Sequence, residues 1–234
     1  MIGRLAAARR ALGPPTDPPP RPWRLHALPV CASTERELDR WLERLAPAWL
    51  DDDGERLRVP LAVLARRQRF GHGRHGRAWC SPAGGVWLSA ALPWPADPAA
   101  AAPPTLAVAV GLARQLESLG LPVRIKRPND LLLPGADGSW RKLAGILPGL
   151  RHRAGAVRWA RAGVGINCRN PVPPGATNLL PFLGRARAEP LELAVRVLAA
   201  LEWAMAWADR PEAIGQEVRS RLVSLSDPGS SRFP

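Results

Sequence analysis

The chain has 234 residues, 46% of them hydrophobic and 23% charged, with a formal net charge of +13. That balance describes a globular protein able to bury one sizeable core and excludes a disordered or collagen-like chain. There is no apolar run of the roughly 18 residues that a membrane-spanning helix needs. The three cysteines, Cys31, Cys80 and Cys168, lie far apart without CxxC spacing, which argues against a disulfide framework or zinc site and fits a reducing cytoplasm.

The opening MIGRLAAARRAL carries arginines where a signal peptide needs an unbroken apolar core, and reads as a short helix or a ragged end. Residues 13–22, GPPTDPPPRP, cannot hold a helix or a central strand. A flexible Pro/Arg-rich N-terminus (1–22) is therefore expected, with no room for an N-terminal DNA-binding module and an ordered domain over 23–225. The pattern Thr34-x-x-Glu37 predicts a capping box and a helix with Leu38, Trp41, Leu42 and Leu45 on one face, ended by Pro47 before the acidic turn 51–54. Residues 57–67 and 85–94 read as strands around a glycine-rich loop. A Pro/Ala-rich linker (95–104) leads to a predicted helix Thr105–Leu119, stopped by Gly120. Strand-like segments at 122–133, 142–150 and 155–168 follow, separated by PGADGSW and by a basic turn, Arg151-His152-Arg153. Residues 190–209 and 212–224 read as helices and 226–234 as a tail. This order predicts an α+β fold with helices packed on one mixed sheet, not a regular βαβ array.

The loop QRFGHGRHGRAW (68–79) contains a literal G-x-G-x-x-G at Gly71, Gly73 and Gly76. A dinucleotide fingerprint must open a helix directly, and Pro82 with Gly84-Gly85 denies one. Two readings stand: an anion-binding loop, in which backbone N–H groups approach a phosphate and Arg74 and Arg77 neutralise it, or a solvated basic loop. His72 and His75 have only Cys80 as a neighbouring metal-ligating side chain, too little for a metal site.

Lysine is almost absent: Lys126 and Lys142 stand against 31 arginines, and tyrosine is missing, as a drift toward GC-rich codons would produce. Under such drift lysine persists where a compact ammonium is needed and a planar guanidinium will not fit, for example between a carboxylate and a phosphate. Both lysines are candidate functional residues.

Four segments together resemble the catalytic domain of biotin protein ligases: Cys31–Glu35, Gln68–Trp79 continuing into SPAGGVWLS, KRPNDLLL with RKLAGIL, and GVGIN (163–167) with GATNL (175–179). The resemblance spans about residues 28–180. It implies a class II synthetase-like biotin/lipoate ligase fold, with helices on one side of a mixed sheet. It also implies ATP, biotin and Mg²⁺ as reaction components, biotinyl-5'-AMP as intermediate, and the biotin carboxyl carrier protein of acetyl-CoA carboxylase as acceptor. By position it assigns Lys142 and Arg74 to catalysis, and Ser33, Thr34, Glu35, Gln68, Gly71, His72, Gly73, Trp79, Lys142 and Gly145 to biotin. It assigns Arg74, Arg77, Asn129 and Asn167 to the nucleotide and Asp130 to Mg²⁺, with Lys126 helping to position its own segment. The chain departs from the family pattern at Glu35 (usually Asn), His72 (usually Arg), Arg127 (usually Trp) and Pro148-Gly149 (commonly Val and an acidic residue). It ends at Pro234, about where many members add a small β-barrel. The rival readings are a lipoate ligase or octanoyltransferase of the same fold, a basic nucleic-acid-binding protein, and a catalytically dead relative.

Overall fold

The computed structural model describes residues 2–12, 22–44 and 47–223. Leu45, the proline-rich stretch 13–21 and the predicted tail 226–234 lie outside the described residues. In chain order the elements are α1 (Ile2–Arg10), β1 (Arg24–Leu28), α2 (Thr34–Leu42), β2 (Leu61–Ala65), β3 (Val86–Leu92), α3 (Pro104–Glu117), β4 (Arg124–Lys126), β5 (Asp130–Pro134), β6 (Trp140–Arg153), β7 (Ala156–Ile166), α4 (Leu180–Arg187), α5 (Pro190–Ala206) and α6 (Pro211–Arg219). The strands form one seven-stranded sheet in the order β1-β2-β3-β7-β6-β5-β4. Only β1 and β2 run parallel, so the sheet is mixed, as the sequence predicts.

Alternation along the strands sorts residues onto two faces. Val86, Leu88, Ala90 and Leu92 of β3, with Ala162, Val164 and Ile166 of β7, join the main core against α3 and α5. There Gly111 lets two helix backbones meet, because a Cβ on it would lie 2.4 Å from the Ala200 carbonyl oxygen. Helices α1, α3, α5 and α6 all contribute to this core, which gives the expected layer of helices on one side. Helix α2 adds a smaller cluster on the other face: its buried Leu38 packs with Leu57, Leu61, Val63, Ala91 and Trp159.

Several local expectations are corrected. Of the two readings of the opening segment the short helix holds, as α1, so part of the 1–22 stretch expected to be flexible is ordered: its buried Ala8 joins the core and its Arg9 holds the buried Glu202 carboxylate through two 2.7 Å hydrogen bonds. Strand β1 escapes the sequence reading because it is an edge strand, exposed along most of its length and without alternation. The segment 122–133 is two strands, β4 and β5, turning at Arg127-Pro128-Asn129 with a cis Arg127–Pro128 peptide. Residues Arg151–Arg153 are not a turn but the end of β6. The reversal falls at Ala154 and Gly155, both with positive φ, the pairing a two-residue hairpin requires. Helix α4 is short, contains Pro181 and has non-helical backbone at Gly184, so it offers no long periodic pattern.

Candidate active site

Where β6 and β7 reach the cleft, the residues facing away from the main core are mostly glycine. Gly145 pairs with Gly165, and Leu147 with Gly163. This bare strip is where the sheet opens into a cleft of about 1870 Å³. That volume exceeds the roughly 300–1,000 Å³ of ordinary small-molecule pockets and suits two ligands side by side. Every position singled out in the sequence, from Ser33 to Asn167, lines it, and so does Lys126.

The glycines are there for Trp79. A Cβ on Gly165 would fall 2.7 Å from the indole Nε1, and one on Gly145 would fall 3.1 Å from the ring. The indole therefore lies on bare backbone and meets Trp87 edge-on at 6.5 Å between ring centroids. Its Nε1 is buried and has no hydrogen-bond partner.

Beside this slot sits a buried polar network. The predicted capping box is shifted by one residue: Ser33 caps α2, its Oγ accepting from the Glu35 N–H at 3.3 Å. Thr34 is then free to donate from its backbone N–H (2.7 Å) and its hydroxyl (3.0 Å) to Gln68 Oε1. The Thr34 hydroxyl also meets Ser89 Oγ at 2.8 Å, and Gln68 Nε2 donates to Ser81 Oγ at 2.9 Å. Ser33, Thr34, Ser81 and Ser89 are all buried. Gly71 must be glycine here, since a Cβ would lie 2.5 Å from both Ser81 Oγ and the Trp79 carbonyl oxygen.

The glycine-arginine loop opens no helix, in line with its sequence. It is pinched at its base by Trp79 N–H donating to Gly71 O (2.9 Å) and Gly73 N–H to Arg77 O (2.8 Å), with a tight turn, Arg74–Gly76, at its tip, where His75 and Gly76 have positive φ. Among the described residues the side chains of Arg74 and Arg77 have no carboxylate partner. Glu35 and His72, two of the departures from the family pattern, meet each other: His72 Nε2 lies 2.6 Å from Glu35 Oε2, while Arg161 of β7 holds Glu35 (3.0 Å) and Asp39 (2.9 Å).

The lysines converge. Lys142 Nζ lies 2.7 Å from Asp130 Oδ1 and 5.1 Å from the centroid of the Trp79 ring. The contact with Asp130 is an ion pair without hydrogen-bond alignment, and Oδ1 is buried with no donor. Burial holds the Lys126 ammonium below its usual pKa, opposed by Asp130 and reinforced by the charge of Lys142. Asn129 closes the turn on β6: its Nδ2 donates to Ile146 O at 3.1 Å. Asn167 is buried and largely engaged, donating to Thr177 O (3.2 Å) and accepting from Asn170 Nδ2 (2.9 Å). Among the described residues no three His, Cys, Asp or Glu side chains cluster as a metal site, and no helix is long and apolar enough to cross a membrane.

Ser81, Ser89, Gly165, Asn170 and Arg161 were not singled out. Gly165 had a signal, because glycine within a strand marks close approach of another group. Arg161 had none among so many arginines.

The family model for the biotin/lipoate A/B protein ligase family matches residues 45–167. The chain belongs to that family. It is 39% identical over 142 residues to the bifunctional ligase/repressor BirA of Escherichia coli strain K12, covering 60% of this chain and 39% of that one. It is 36% identical over 126 residues to the biotin--[acetyl-CoA-carboxylase] ligase of Paracoccus denitrificans, covering 49% of each. The matches thus span half or less of these relatives' lengths. Among solved structures, the biotin protein ligase of Aquifex aeolicus in complex with biotin and ATP superposes with a TM-score of 0.64 at 22% identity, over 86% of this chain and 78% of that one. The biotin protein ligase of Leishmania major in complex with biotinyl-5-AMP gives 0.60 at 20% identity, over 86% and 81%. A lipoate protein ligase from Thermoplasma acidophilum gives 0.52 at 12% identity, over 86% and 93%. At such identities the likeness is one of fold.

Proposed function

We propose that this chain is an ATP-dependent biotin protein ligase. In the first step an oxygen of the biotin carboxylate attacks the α-phosphorus of ATP, and the bond to the β-phosphate oxygen breaks, giving biotinyl-5'-AMP and pyrophosphate. In the second, an acceptor lysine amine attacks the acyl carbon, AMP leaves, and the amine's proton passes to solvent or a base. Both steps concentrate negative charge, which fixed cations in a dry cleft stabilise. Lys142 is the residue we place between carboxylate and α-phosphate, with Asp130 and the face of Trp79 holding its ammonium before substrate arrives. Arg74 and Arg77 close over the phosphates, Lys126 adds charge at the same end, and Asn129 keeps the β4–β5 turn in place. Asn167 shapes the nucleotide end.

The buried network of Thr34, Gln68, Ser81 and Ser89 is the observation that carries biotin over lipoate or octanoate. A ureido ring offers donors and acceptors to the capacity those groups have left after bonding one another, such as the second N–H of the Gln68 amide, whereas a dithiolane or alkyl end offers none. Trp79 on its glycine bed lines the aliphatic chain. Mg²⁺ fits a site with one carboxylate and substrate phosphates as its remaining ligands, and Asp130, whose Oδ1 lacks a donor, is the residue that would hold it and so neutralise phosphate charge. The acceptor we propose is the biotin carboxyl carrier protein of acetyl-CoA carboxylase, in the cytoplasm, where the three free cysteines stay reduced.

Biotin-dependent exchange of pyrophosphate into ATP tests this reading. Exchange with biotin and none with lipoate or octanoate is the expected result; the reverse preference would move the chain to the lipoate branch.

A further inference from the structure

Away from the cleft most arginines have a partner: Arg9 has Glu202, Arg169 has Glu189, Arg221 has Glu117, and Arg24 lies over Trp49. At the cleft the pattern changes. Arg36, Arg67, Arg69 and Arg127 line its mouth and are exposed, and among the described residues none has a carboxylate within ion-pairing distance. The three carboxylates on the same lining are already committed, Glu35 and Asp39 to Arg161 and Asp130 to Lys142. On the proposed function Lys126 and Lys142 within the cleft, with Arg74 and Arg77 of the loop above it, suffice for a magnesium-bound triphosphate and a carboxylate. The four arginines at the mouth are surplus to that ligand.

They also stand on an ordered platform. The segment after β2 pairs with the segment after β1 through Arg66 N–H to Leu28 O (3.0 Å), Arg69 N–H to Cys31 O (3.0 Å) and Phe70 N–H to Ala32 O (2.8 Å). Phe70, 65% exposed, and Val30, 45% exposed, lie on the same lining. An exposed aromatic among arginines is the composition of a protein-binding surface. A nucleic-acid groove would instead interleave several aromatics at base-stacking intervals, and Phe70 is the one aromatic among the exposed large hydrophobics of the described residues.

We propose that this rim docks the acceptor protein: Arg36, Arg67, Arg69 and Arg127 meet an acidic surface around the lysine to be modified, with Phe70 and Val30 as the apolar contact. The proposal rests on the ligase function above and adds the kind of partner surface it selects.

The test uses the full chain carrying Arg67→Ser and Arg69→Ser, with a biotin carboxyl carrier domain as acceptor, at low and high salt. The expected result is an acceptor KM raised about tenfold at low salt, with its salt dependence flattened, since rim charges act on encounter. The kcat and biotin-dependent pyrophosphate exchange stay at wild-type levels, which also shows that the variant folds. An unchanged acceptor KM overturns the proposal. So does a parallel fall in exchange, which would assign these arginines to the nucleotide, or loss of salt-sensitive binding to a DNA duplex with acceptor KM unchanged. Absence of exchange in the wild-type protein would remove the ligase reading itself, and is told apart because the other outcomes all presuppose that exchange occurs.

Discussion

The two faces of strands β6 and β7 share one backbone and do opposite things. On one face Ala144, Ile146, Ala162, Val164 and Ile166 are buried in the main core. On the other Gly145, Leu147, Arg161, Gly163 and Gly165 are only partly buried, and all but Arg161 line the cleft. The first set fills space and the second set leaves it empty. An apolar face stabilises in proportion to the area it removes from water, so almost any well-sized hydrophobe serves there. A face that seats an indole and an ammonium, and on the proposed function two ligands as well, is specified atom by atom, and tolerates far less change.

The sharpest way to break this comparison is at Lys142, which springs from the cleft side of β6 yet carries no part of the core. Lys142→Arg is expected to lower biotin-dependent pyrophosphate exchange by about a thousandfold while leaving circular dichroism and the unfolding midpoint unchanged, because a planar guanidinium cannot take the ammonium's place between Asp130 and Trp79. A variant forming biotinyl-5'-AMP at the wild-type rate would show that Lys142 is not the catalytic cation.

Adjacent residues on β7 give a matched pair. Ile166→Ala removes core packing and should cost about 2–5 kcal/mol in denaturant unfolding, with biotin affinity intact in the folded fraction. Gly165→Ala should do the reverse: the new methyl would displace Trp79, so biotin Kd measured by calorimetry is expected to rise about tenfold with a far smaller loss of stability. If both substitutions act mainly on stability, the division between the faces is wrong.

Arg74→Gly probes the loop above the cleft, and the expected effect is smaller. If Arg74 clamps the adenylate phosphate, losing it should release biotinyl-5'-AMP faster than it slows its formation. Leaked intermediate would then biotinylate serum albumin on the order of severalfold more than wild type does, because a lost clamp acts mainly on dissociation. An active variant that labels albumin no more than wild type would reassign the loop.

How much of this could be read from the chain follows the same division. The core strands and helices α2, α3, α5 and α6 showed themselves by periodicity, since burial on one face imprints a repeat. Strand β1 and helix α4 did not, the one lying exposed at an edge and the other interrupted at Gly184. In the cleft, the scarcity of lysine pointed to Lys126 and Lys142, and the ordered motifs pointed to Gln68, Trp79 and Asn129. What no motif carried was the partner of each group. The pairing of Glu35 with His72 and Arg161 joins α2, the loop and β7, and contacts so distant in sequence leave no local trace. Thr34 was read as a cap, whereas its hydroxyl serves Gln68 and Ser89, because a capping residue and a buried donor look alike in one dimension.

The last contrast sets against each other two cysteines on the two sides of the sheet. Cys168, just beyond β7, is buried in the main core, and burial pushes its thiol up to about 12. Cys80 lies exposed on the cleft lining. A thiol whose folded pKa is raised contributes stability that is complete below the unfolded value and is lost as pH climbs toward the folded one. Unfolding free energy should therefore decline between about pH 9 and 12 with a contribution of up to about 1.4 kcal/mol per pH unit from Cys168, because the unfolded chain ionises there and the folded one does not. In Cys168→Ala that contribution should vanish, leaving the shallower slope of the remaining groups. Thiol labelling at neutral pH should follow the same order, rapid at Cys80 and limited by unfolding at Cys168. Equal labelling rates for the two would mean that the core side of β7 opens as readily as the cleft side, and the distinction between a packed face and a working face would fail at that strand.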